Sequence, residues 1–547
     1  MHIARKLLIV AAALMMVGTQ TSPDEDQIAP LLEGMGKHHH AITTKSDRAQ
    51  RFFDQGLMLS YGFNHREAER SFHEAARLDS TCAMAYWGMA LVLGPNINAP
   101  MDPHNAPKAY EALQKAIELA PAVSEKEQAY IQALFKRYAP EAGDDRSALD
   151  IAYANAMRQL CGKYPEDTDA SVLFAEALMD LHPWDYWLKN GEPQPWTPEI
   201  LSVLESVMQR DLNHPGANHF YIHAVEASHN PERGMTAAQH LENVVPGAGH
   251  LVHMPSHIYI RVGNYHEGTL ANERAIASDD EYISQCRAQG IYPLTYVPHN
   301  HHFLWATATL EGNSAKAIAA AHSTSERVDT QMMRKSGYGT LQHFYVIPMY
   351  AHVRFGKWDD ILAAPKPDED LVYPQGVWHY SRGIAFARTG RMPEAERELA
   401  VVRKIAKDPV LQQVTIWDIN TTQQLMEIAA NALAGEIAAA KGEYDNAVAA
   451  LEAAIEIEDG LTYNEPPDWF FPVRHSLGAV LLEAGRPEQA EHVYRADLTI
   501  FPENGWSLYG LKTSLAQQNK QSEAKKVEQR FRDAWAWSDV ELTASRF

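Results

Sequence analysis

Histidines recur at helical spacing in the middle of this chain, in three strings between His214 and His302. The strings are His214-Pro-Gly-Ala-Asn-His219-Phe-Tyr-Ile-His223-Ala-Val-Glu226, His250-Leu-Val-His253-Met-Pro-Ser-His257 and His299-Asn-His301-His302. Side chains three or four residues apart lie on one face of a helix, so each string presents several imidazoles in one direction. Imidazole nitrogens ligate zinc, copper, iron and nickel, and the leading hypothesis for this stretch is therefore a metal site.

The spacing of the histidines also indicates which of them would act together. His219 with His223, and His253 with His257, form two natural ligand pairs, and Pro255 locally loosens the helix that carries the second pair. Neighbouring helix axes lie about 8–10 Å apart, so imidazoles from adjacent helices can reach a common ion. The predicted metal ligands are His219, His223, His250, His253, His257, His299 and His302.

More than four candidate ligands make either one or two ions conceivable. Glu226 follows the first string and is predicted to serve as a ligand or as a general base. An imidazole-rich, thiolate-poor set suits zinc, copper or iron as the cofactor and argues against magnesium or calcium. If the protein is an enzyme, the metal would activate water or dioxygen; the sequence does not decide whether it is one.

Other catalytic signatures are absent from the sequence. It contains no His-Glu-x-x-His, no phosphate-binding Gly-x-x-x-x-Gly-Lys-Ser/Thr and no Gly-x-Ser-x-Gly. The three cysteines, Cys82, Cys161 and Cys286, form neither a disulfide framework nor a Cys-x-x-Cys metal motif. The histidine strings are thus the chemistry that the sequence offers.

The elements that must position these histidines follow from a repeated pattern. Phe52, Gly56, Ala68, Phe72 and Ala75 show the spacing of a 34-residue helix-turn-helix repeat, in which small residues let two helices pack closely. The pattern returns along the chain, for example at Gly383, Gly390, Ala395 and Leu399, and at Gly478, Gly485, Ala490 and Tyr494. The predicted fold is an all-α right-handed superhelical solenoid of roughly ten to twelve units with an inner groove.

This pattern resembles the tetratricopeptide-repeat (TPR) superfamily over the whole mature chain. Three strings also look like those of a family of exported bacterial proteins known mainly by their repeats: Tyr61-Gly-Phe-Asn-His65-Arg-Glu-Ala-Glu-Arg-Ser-Phe72, Gly94-Pro-Asn-Ile-Asn98 and His253-Met-Pro-Ser-His257-Ile-Tyr259. The resemblance implies the fold; it does not imply a reaction.

Aligning the repeats predicts where the histidines point. Gly263 is the fifteenth residue of its unit, so His250, His253 and His257 take the second, fifth and ninth positions of a first helix, which face the groove. The same count places His219, His223 and Glu226 at the fifth, ninth and twelfth positions of the preceding unit. In the next unit His299 is second and His302 is fifth, and in the unit after that His343 is second. Eight imidazoles and one carboxylate are therefore expected to converge on one groove.

Two segments, 94–107 and 182–196, are insertions at the turns of the second and fourth units and should emerge on the same rim. They form either a lid that controls access to the groove or packing that seals the edge of the solenoid.

The chain is expected to divide into a signal peptide (1–22), an extended leader (23–45) and a single solenoid (46–540), whose histidine-rich groove spans 214–302. Arg5 and Lys6 precede an apolar run from Leu7 to about Val17, which is typical of a cleaved signal and indicates a periplasmic or secreted protein. The leader contains His38-His39-His40, a tract that either binds metal or is solvated.

The charge balance excludes two classes of partner. Lys and Arg total 48 against 70 Asp and Glu, a formal net charge of -22. Without a basic cluster, nucleic acid and, after removal of the signal, membrane are not expected partners. Two alternatives to a metal site stay open: a TPR scaffold that binds a protein or peptide without catalysis, and a histidine surface that charges below about pH 6.5.

Overall fold

The computed structural model describes residues 26–140, 145–286 and 292–547, and this part of the chain is almost entirely helical. The predicted signal peptide, 1–22, lies outside the described residues. The one sheet in the described ranges is a two-stranded antiparallel hairpin of β1 (Thr415–Ile416) and β2 (Asn420–Thr421). None of the helices described is long and apolar enough to cross a membrane.

The helices of the first half precede or carry the first two histidine strings. They are α1 (Asp47–Tyr61), α2 (His65–Leu78), α3 (Ala83–Val92), α4 (Ala106–Leu119), α5 (Glu125–Phe135), α6 (Ser147–Lys163), α7 (Thr168–Asp180), α8 (Thr197–Arg210), α9 (Pro215–Glu226), α10 (Met235–Val244), α11 (Gly249–His253), α12 (Pro255–Val262) and α13 (Tyr265–Gln285).

The helices of the second half begin with the one that carries the third string, just after a π-helical turn, Tyr292–Tyr296. They are α14 (Val297–Leu310), α15 (Ser314–Glu326), α16 (Gly339–Arg354), α17 (Trp358–Ala363), α18 (Val372–Arg388), α19 (Met392–Ile405), α20 (Thr422–Ala440), α21 (Tyr444–Gly460), α22 (Val473–Glu483), α23 (Pro487–Ile500), α24 (Gly505–Gln517) and α25 (Gln521–Ala534).

Consecutive helices pack against each other along the chain. Helices α11 and α12 are one first helix that is interrupted at Pro255, because proline has no N–H to donate to the preceding turn. With those two counted together, the described residues form twelve helix pairs. The predicted all-α repeat fold of ten to twelve units is confirmed.

The recurring glycines let aromatic rings fill the space between units. The ring of Phe72 on α2 lies between Gly56 of α1 and Gly88 of α3, and a Cβ at either glycine would overlap with it. Tyr494 on α23 is held in the same way between Gly478 and Gly510. The small residues of the repeat are therefore required by close packing against a ring.

Both arms of the array return to its middle. Asn98 Nδ2 donates to Tyr296 Oη at 3.1 Å, which joins the second unit to the start of α14. From the other end, Trp506 Nε1 donates to the carbonyl oxygen of Thr309 at 3.0 Å. These contacts join residues about two hundred positions apart, and they bring residues from both ends of the array to the central groove, here called the chamber.

Candidate metal centre

Two groups of three histidines meet in this chamber. The first triad consists of His219 and His223 on α9 and His250 on α11; its ligand atoms all lie within 4.8 Å of one another. His219 Nε2 lies 3.2 Å from His250 Nε2. Two imidazole nitrogens that are each about 2.0–2.1 Å from one ion adopt a separation of this size.

The second triad consists of His253 on α11, His257 on α12 and His299 on α14, and its ligand atoms also lie within 4.8 Å of one another. His253 Nε2 and His257 Nε2 are 3.0 Å apart. The break at Pro255 separates these two residues onto different helix segments, while the spacing of four residues keeps their rings on one face. The structure thus brings together six of the seven predicted ligands.

Glu226 lies behind both triads. Its Oε1 accepts a hydrogen bond from His223 Nδ1 at 2.6 Å, and its Oε2 accepts one from His257 Nδ1 at 2.5 Å. Tyr463 Oη also donates to Oε2, at 3.2 Å. Burial alone would raise the pKa of this carboxyl, but the charges and hydrogen bonds of the two histidines hold it well below its ordinary value. Glu226 is therefore an ionised carboxylate that links one histidine of each triad.

Two further histidines are oriented by oxygen atoms that can only accept a hydrogen bond. His219 Nδ1 donates to the carbonyl oxygen of Tyr61 at 2.6 Å. His253 Nδ1 donates to Asn272 Oδ1 at 2.6 Å, and the Asn272 amide is fixed because its Nδ2 donates to the carbonyl oxygen of Gly268. The Nδ1 atom of each ring consequently carries the proton, and the lone pair is on Nε2.

The Nε2 lone pairs therefore point at one another. His253 and His257 place two such acceptors 3.0 Å apart. His223 Nε2 is buried and has no hydrogen-bond partner among the described residues. Buried acceptors without a donor are costly, and a cation placed between them satisfies several at once.

Burial also keeps these rings neutral. It lowers the pKa values of His219, His250, His253 and His299 well below the ordinary value, and the neighbouring imidazoles lower them further. Neutral imidazole is the form that binds a metal ion. The chamber thus holds its histidines ready for ligation at neutral pH.

His302 is the predicted ligand that the structure does not bring to a triad. Its ring stacks on Trp305 at 5.2 Å between centroids and lies 5.5 Å from the ring of His343. Neither of its ring nitrogens has a hydrogen-bond partner in the described ranges. Helix α14 places His299 and His302 three residues apart, but only His299 points towards the second triad.

A cavity of about 520 Å³ opens in front of the triads. Its wall includes four of the triad histidines, together with Glu226 and residues from distant parts of the chain. The histidines are His223, His250, His257 and His299; the distant residues include Tyr296, Trp417, Asp418, Asn464 and Glu465. A volume of this size is typical of a small-molecule site.

Three aromatic residues with left-handed backbones pack on the triads. Phe63, Trp184 and Trp417 have φ values of 55°, 62° and 52°. Their rings lie 4.7 Å from His219, 5.1 Å from His223 and 5.8 Å from His299, respectively. Such a conformation costs a bulky residue about 1–3 kcal/mol, and residues of this kind cluster at functional sites.

Both insertions contribute to the cavity wall. The first supplies 95–101, and the second supplies Pro183 and Trp184. The second insertion also packs on the array, because Trp187 Nε1 donates to the carbonyl oxygen of Ala224 at 2.7 Å. The two interpretations of the insertions are therefore both partly right: they shape access, and they are fixed to the solenoid edge.

Several residues of the chamber carry no signal in the sequence. Tyr463 reaches Glu226 across 237 positions, and Trp417 reaches His299 from the β1–β2 turn. Neither belongs to a motif, since each is brought to the chamber only by the return of the C-terminal units. Phe63 lies within a resemblance string, but its contact with His219 depends on the same folding back of the array.

The leader holds a separate histidine group, the leader cluster, which consists of His38, His40, His214 and Asp169. His38 Nε2 and His40 Nδ1 each lie 2.8 Å from a different oxygen of Asp169, and Tyr61 Oη donates to that carboxylate at 2.7 Å. His214 Nε2 lies 3.3 Å from Asp169 Oδ1. Of the two alternatives for the His38-His39-His40 tract, solvation describes His39, which is exposed. It does not describe His40, which is buried.

Comparison with known proteins identifies the repeat type. Residues 428–460 match the family model of the tetratricopeptide repeat, and they cover most of α20 and all of α21. No curated protein matches the sequence. A tetratricopeptide repeat is thus confirmed at 428–460, whereas the narrower resemblance to exported bacterial proteins stays a prediction.

Two solved structures are similar to the chain. The APC/C hetero-tetramer Cut9-Hcn1 matches with 13% identity over 90% of this chain and 78% of that chain, at a TM-score of 0.32. The human IFIT1 dimer with m7Gppp-AAAA matches with 12% identity over 90% of this chain and 91% of that chain, at a TM-score of 0.31. TM-scores this low do not establish a shared fold. The assignment of the repeat fold is therefore based on the matched repeat and on the helix pairing of this chain.

Proposed function

We propose that this TPR protein binds one or two transition-metal ions in its central chamber, through the first and second triads. The observation that carries the proposal is the orientation of the imidazoles. Acceptors behind His219, His223, His253 and His257 fix the protons on Nδ1, so the Nε2 lone pairs of these four rings face into the triads. A metal ion satisfies all of them at once.

The donor set supports zinc, copper or iron as the ion. Each triad offers three imidazole nitrogens and leaves a coordination position on the cavity side. Three protein ligands with one open position are typical of a catalytic site, whereas structural zinc sites use four. The site therefore suits an ion that acts on a small molecule in the cavity.

Glu226 is proposed to orient the ligands. Both of its oxygens already accept hydrogen bonds from ligand histidines, an arrangement that fixes the ring and increases the basicity of the ligating nitrogen. A carboxylate so engaged is poorly placed to take a proton from water, so we favour this role over the predicted one of general base.

Protein binding is the alternative function. TPR folds generally bind proteins or peptides, and the matched repeat at 428–460 belongs to that class. The cavity of about 520 Å³ in the chamber has the size of a small-molecule site, which favours a small ligand there over an extended peptide. Other faces of the array stay available to a partner of unknown identity.

Elemental analysis of the full-length, untagged chain tests the proposal. The leader must be retained, because His40 is buried against Asp169 and its removal would expose the core. We expect one or two equivalents of a single metal, which are lost on dialysis against a strong chelator and regained on reloading. Absence of metal, together with no uptake of added zinc, copper or iron, would reject the site and leave the scaffold.

Export to the periplasm or outside the cell is proposed on sequence alone. The support is the pair Arg5-Lys6 before the apolar run that starts at Leu7. N-terminal sequencing of the protein from separated cell fractions tests it, and an intact Met1 in the cytoplasmic fraction alone would contradict it.

A further inference from the structure

We infer that the two triads form a single dinuclear copper centre, which uses dioxygen to oxidise small o-diphenols held in the cavity. This inference rests on the proposed function, and it adds the number of ions, their identity, the oxidant and the class of substrate.

The proximity of the triads carries the first step. The ring of His223 in the first triad lies 5.5 Å from that of His257 in the second, and the rings of His250 and His253 are 5.8 Å apart. Glu226 bonds to one histidine of each triad. Two ions held by these groups would be direct neighbours, as in two-metal sites.

The nature of the ligands carries the second step. All six are imidazoles, and the carboxylate that bonds to them, Glu226, has both oxygens engaged by Nδ1–H groups. Glu226 therefore cannot bridge the two ions, as a carboxylate does in many hydrolytic metal pairs, without losing these bonds. Nitrogen ligands bind copper more tightly than the other divalent first-row metals. Neutral ligands also suit monovalent copper, because they add no negative charge to the ion.

The cavity wall carries the third step. Trp184, Tyr296 and Trp417 line it beside the triads and offer flat apolar surfaces to an aromatic ring. Asn464 and Glu465 lie on the same wall, and Glu465 Oε2 is a buried oxygen without a hydrogen-bond partner among the described residues. A phenolic hydroxyl can donate to that oxygen while the ring packs on the aromatic residues.

The reaction balances with dioxygen as the oxidant. Each o-diphenol loses two electrons and two protons from its two hydroxyl groups and becomes an o-quinone. Two diphenols supply the four electrons and four protons that convert one dioxygen into two waters. The two copper ions pass the electrons on by cycling between the divalent and monovalent states, so no further reductant is needed.

The test loads the metal-free, full-length chain with copper under nitrogen and then admits air. We expect two copper ions per chain, an EPR signal that accounts for only a small part of the copper because two close divalent ions couple their spins, and oxygen uptake with 4-methylcatechol at one dioxygen per two diphenols. Two copper ions with full EPR intensity would overturn the inference. Two copper ions that show little EPR signal but take up no oxygen with 4-methylcatechol would overturn it as well.

A variant and a matched control sharpen the result. His299→Ala removes one ligand of the second triad, so we expect one copper to be lost, the EPR signal of the remaining ion to appear, and diphenol oxidation to stop. His301→Gln changes a buried histidine of the same helix outside both triads and should leave the copper count, the EPR silence and the oxidation unchanged. If the wild-type chain binds another metal and no copper pair, this inference fails and the metal site stands; if it binds none, both fail.

Discussion

The leader cluster and the two central triads are both built from buried histidines, but their imidazoles face different partners. In the leader cluster, three histidines surround the carboxylate of Asp169, which is hydrogen-bonded to His38 and His40 and lies 3.3 Å from His214 Nε2. In the triads, the carboxylate that bonds to the rings is Glu226, and it lies behind them. The first arrangement pairs its imidazoles with a negative charge; the second directs Nε2 atoms at one another, where a cation would satisfy them.

The difference shows that the number of histidines does not define a metal site. What matters is which nitrogen is free after the structural hydrogen bonds are made. In the leader cluster, His214 Nδ1 accepts from the N–H of Ala217, so its Nε2 carries the proton and faces Asp169. Tyr61 joins the two regions, because its hydroxyl donates to Asp169 and its carbonyl oxygen accepts from His219.

The largest effect is expected from the His253→Ala, His257→Ala double substitution. It removes the two nitrogens that lie 3.0 Å apart, so the second triad should lose its ion completely while the fold is retained. Elemental analysis and circular dichroism measure the two properties. A matched control removes His322 and His352, whose rings also lie together but outside the triads. Unchanged metal content in the first variant would refute the second triad.

Asp169→Asn should destabilise the protein through the leader cluster and leave the metal content of the triads unchanged. Removing the carboxylate from buried, hydrogen-bonded partners is expected to cost about 3–5 kcal/mol of unfolding free energy, measured by urea denaturation. Glu199→Gln is the control, because Glu199 pairs with Arg158 at 2.9 Å where both side chains are exposed, and such surface pairs are worth about 0–1 kcal/mol. Equal effects of the two substitutions would show that burial does not distinguish the pairs.

Glu226→Gln should weaken metal binding without abolishing it. The amide has one oxygen, so it can accept from His223 or from His257 but not from both. Loss of such an outer partner lowers metal affinity by about ten- to one hundred-fold, which calorimetric titration measures. Glu398→Gln, which removes the comparable partner of His379 far along the chain, should have no effect on affinity.

Acid should destabilise the metal-free triads but not the leader cluster, because the pKa shifts of their histidines have opposite signs. Burial lowers the pKa of His253 below its unfolded value near 6.5, so the metal-free triads lose stability as the pH falls below about 6.5. Burial would also lower the pKa of His38, but the hydrogen bond and charge of Asp169 outweigh it and raise the value. The contribution of His38 is therefore fully present below about pH 6.5 and is lost as the pH rises through its raised pKa.

Hydrogen exchange of the metal-free protein at pH 5 and pH 8 measures this contrast. Amides of α11 and α12 should exchange faster at the lower pH once intrinsic rates are taken into account, and those of the leader should be at least as protected there as at pH 8. Parallel changes in both regions would contradict the assignment of opposite pKa shifts.

The smallest effect is expected from His302→Phe. This ring lies among Trp305, His343 and Phe344, so phenylalanine fits the surroundings and removes only the nitrogens. Metal content should not change, in contrast to His299→Ala one turn earlier. Loss of an ion in His302→Phe would restore His302 to the ligand set and show that the second triad extends further along α14.

The position of each histidine within its repeat unit predicted much of the site, because that position depends only on residues close along the chain. The periodicity of small and aromatic residues places His219, His223, His250, His253, His257 and His299 on first helices, and helical geometry then fixes their faces. The placement of His302 outside the triads has a physical cause. The second-triad ring His299 and its neighbour His302 differ by about 60° around the helix axis, since three residues advance it by roughly 300°. Repeat position alone does not resolve that difference.

The sequence by itself determined the helices, their pairing and the set of histidines that face inwards, because each of these depends on residues that are close along the chain. Only the tertiary structure decided which imidazole nitrogen is free, since that depends on the carbonyl of Tyr61, the carboxylate of Glu226 and the amide of Asn272. It also decided that Trp417 and Tyr463 lie in contact with the site. Contacts over hundreds of residues depend on small rotations summed over many repeats, and no local pattern encodes that sum.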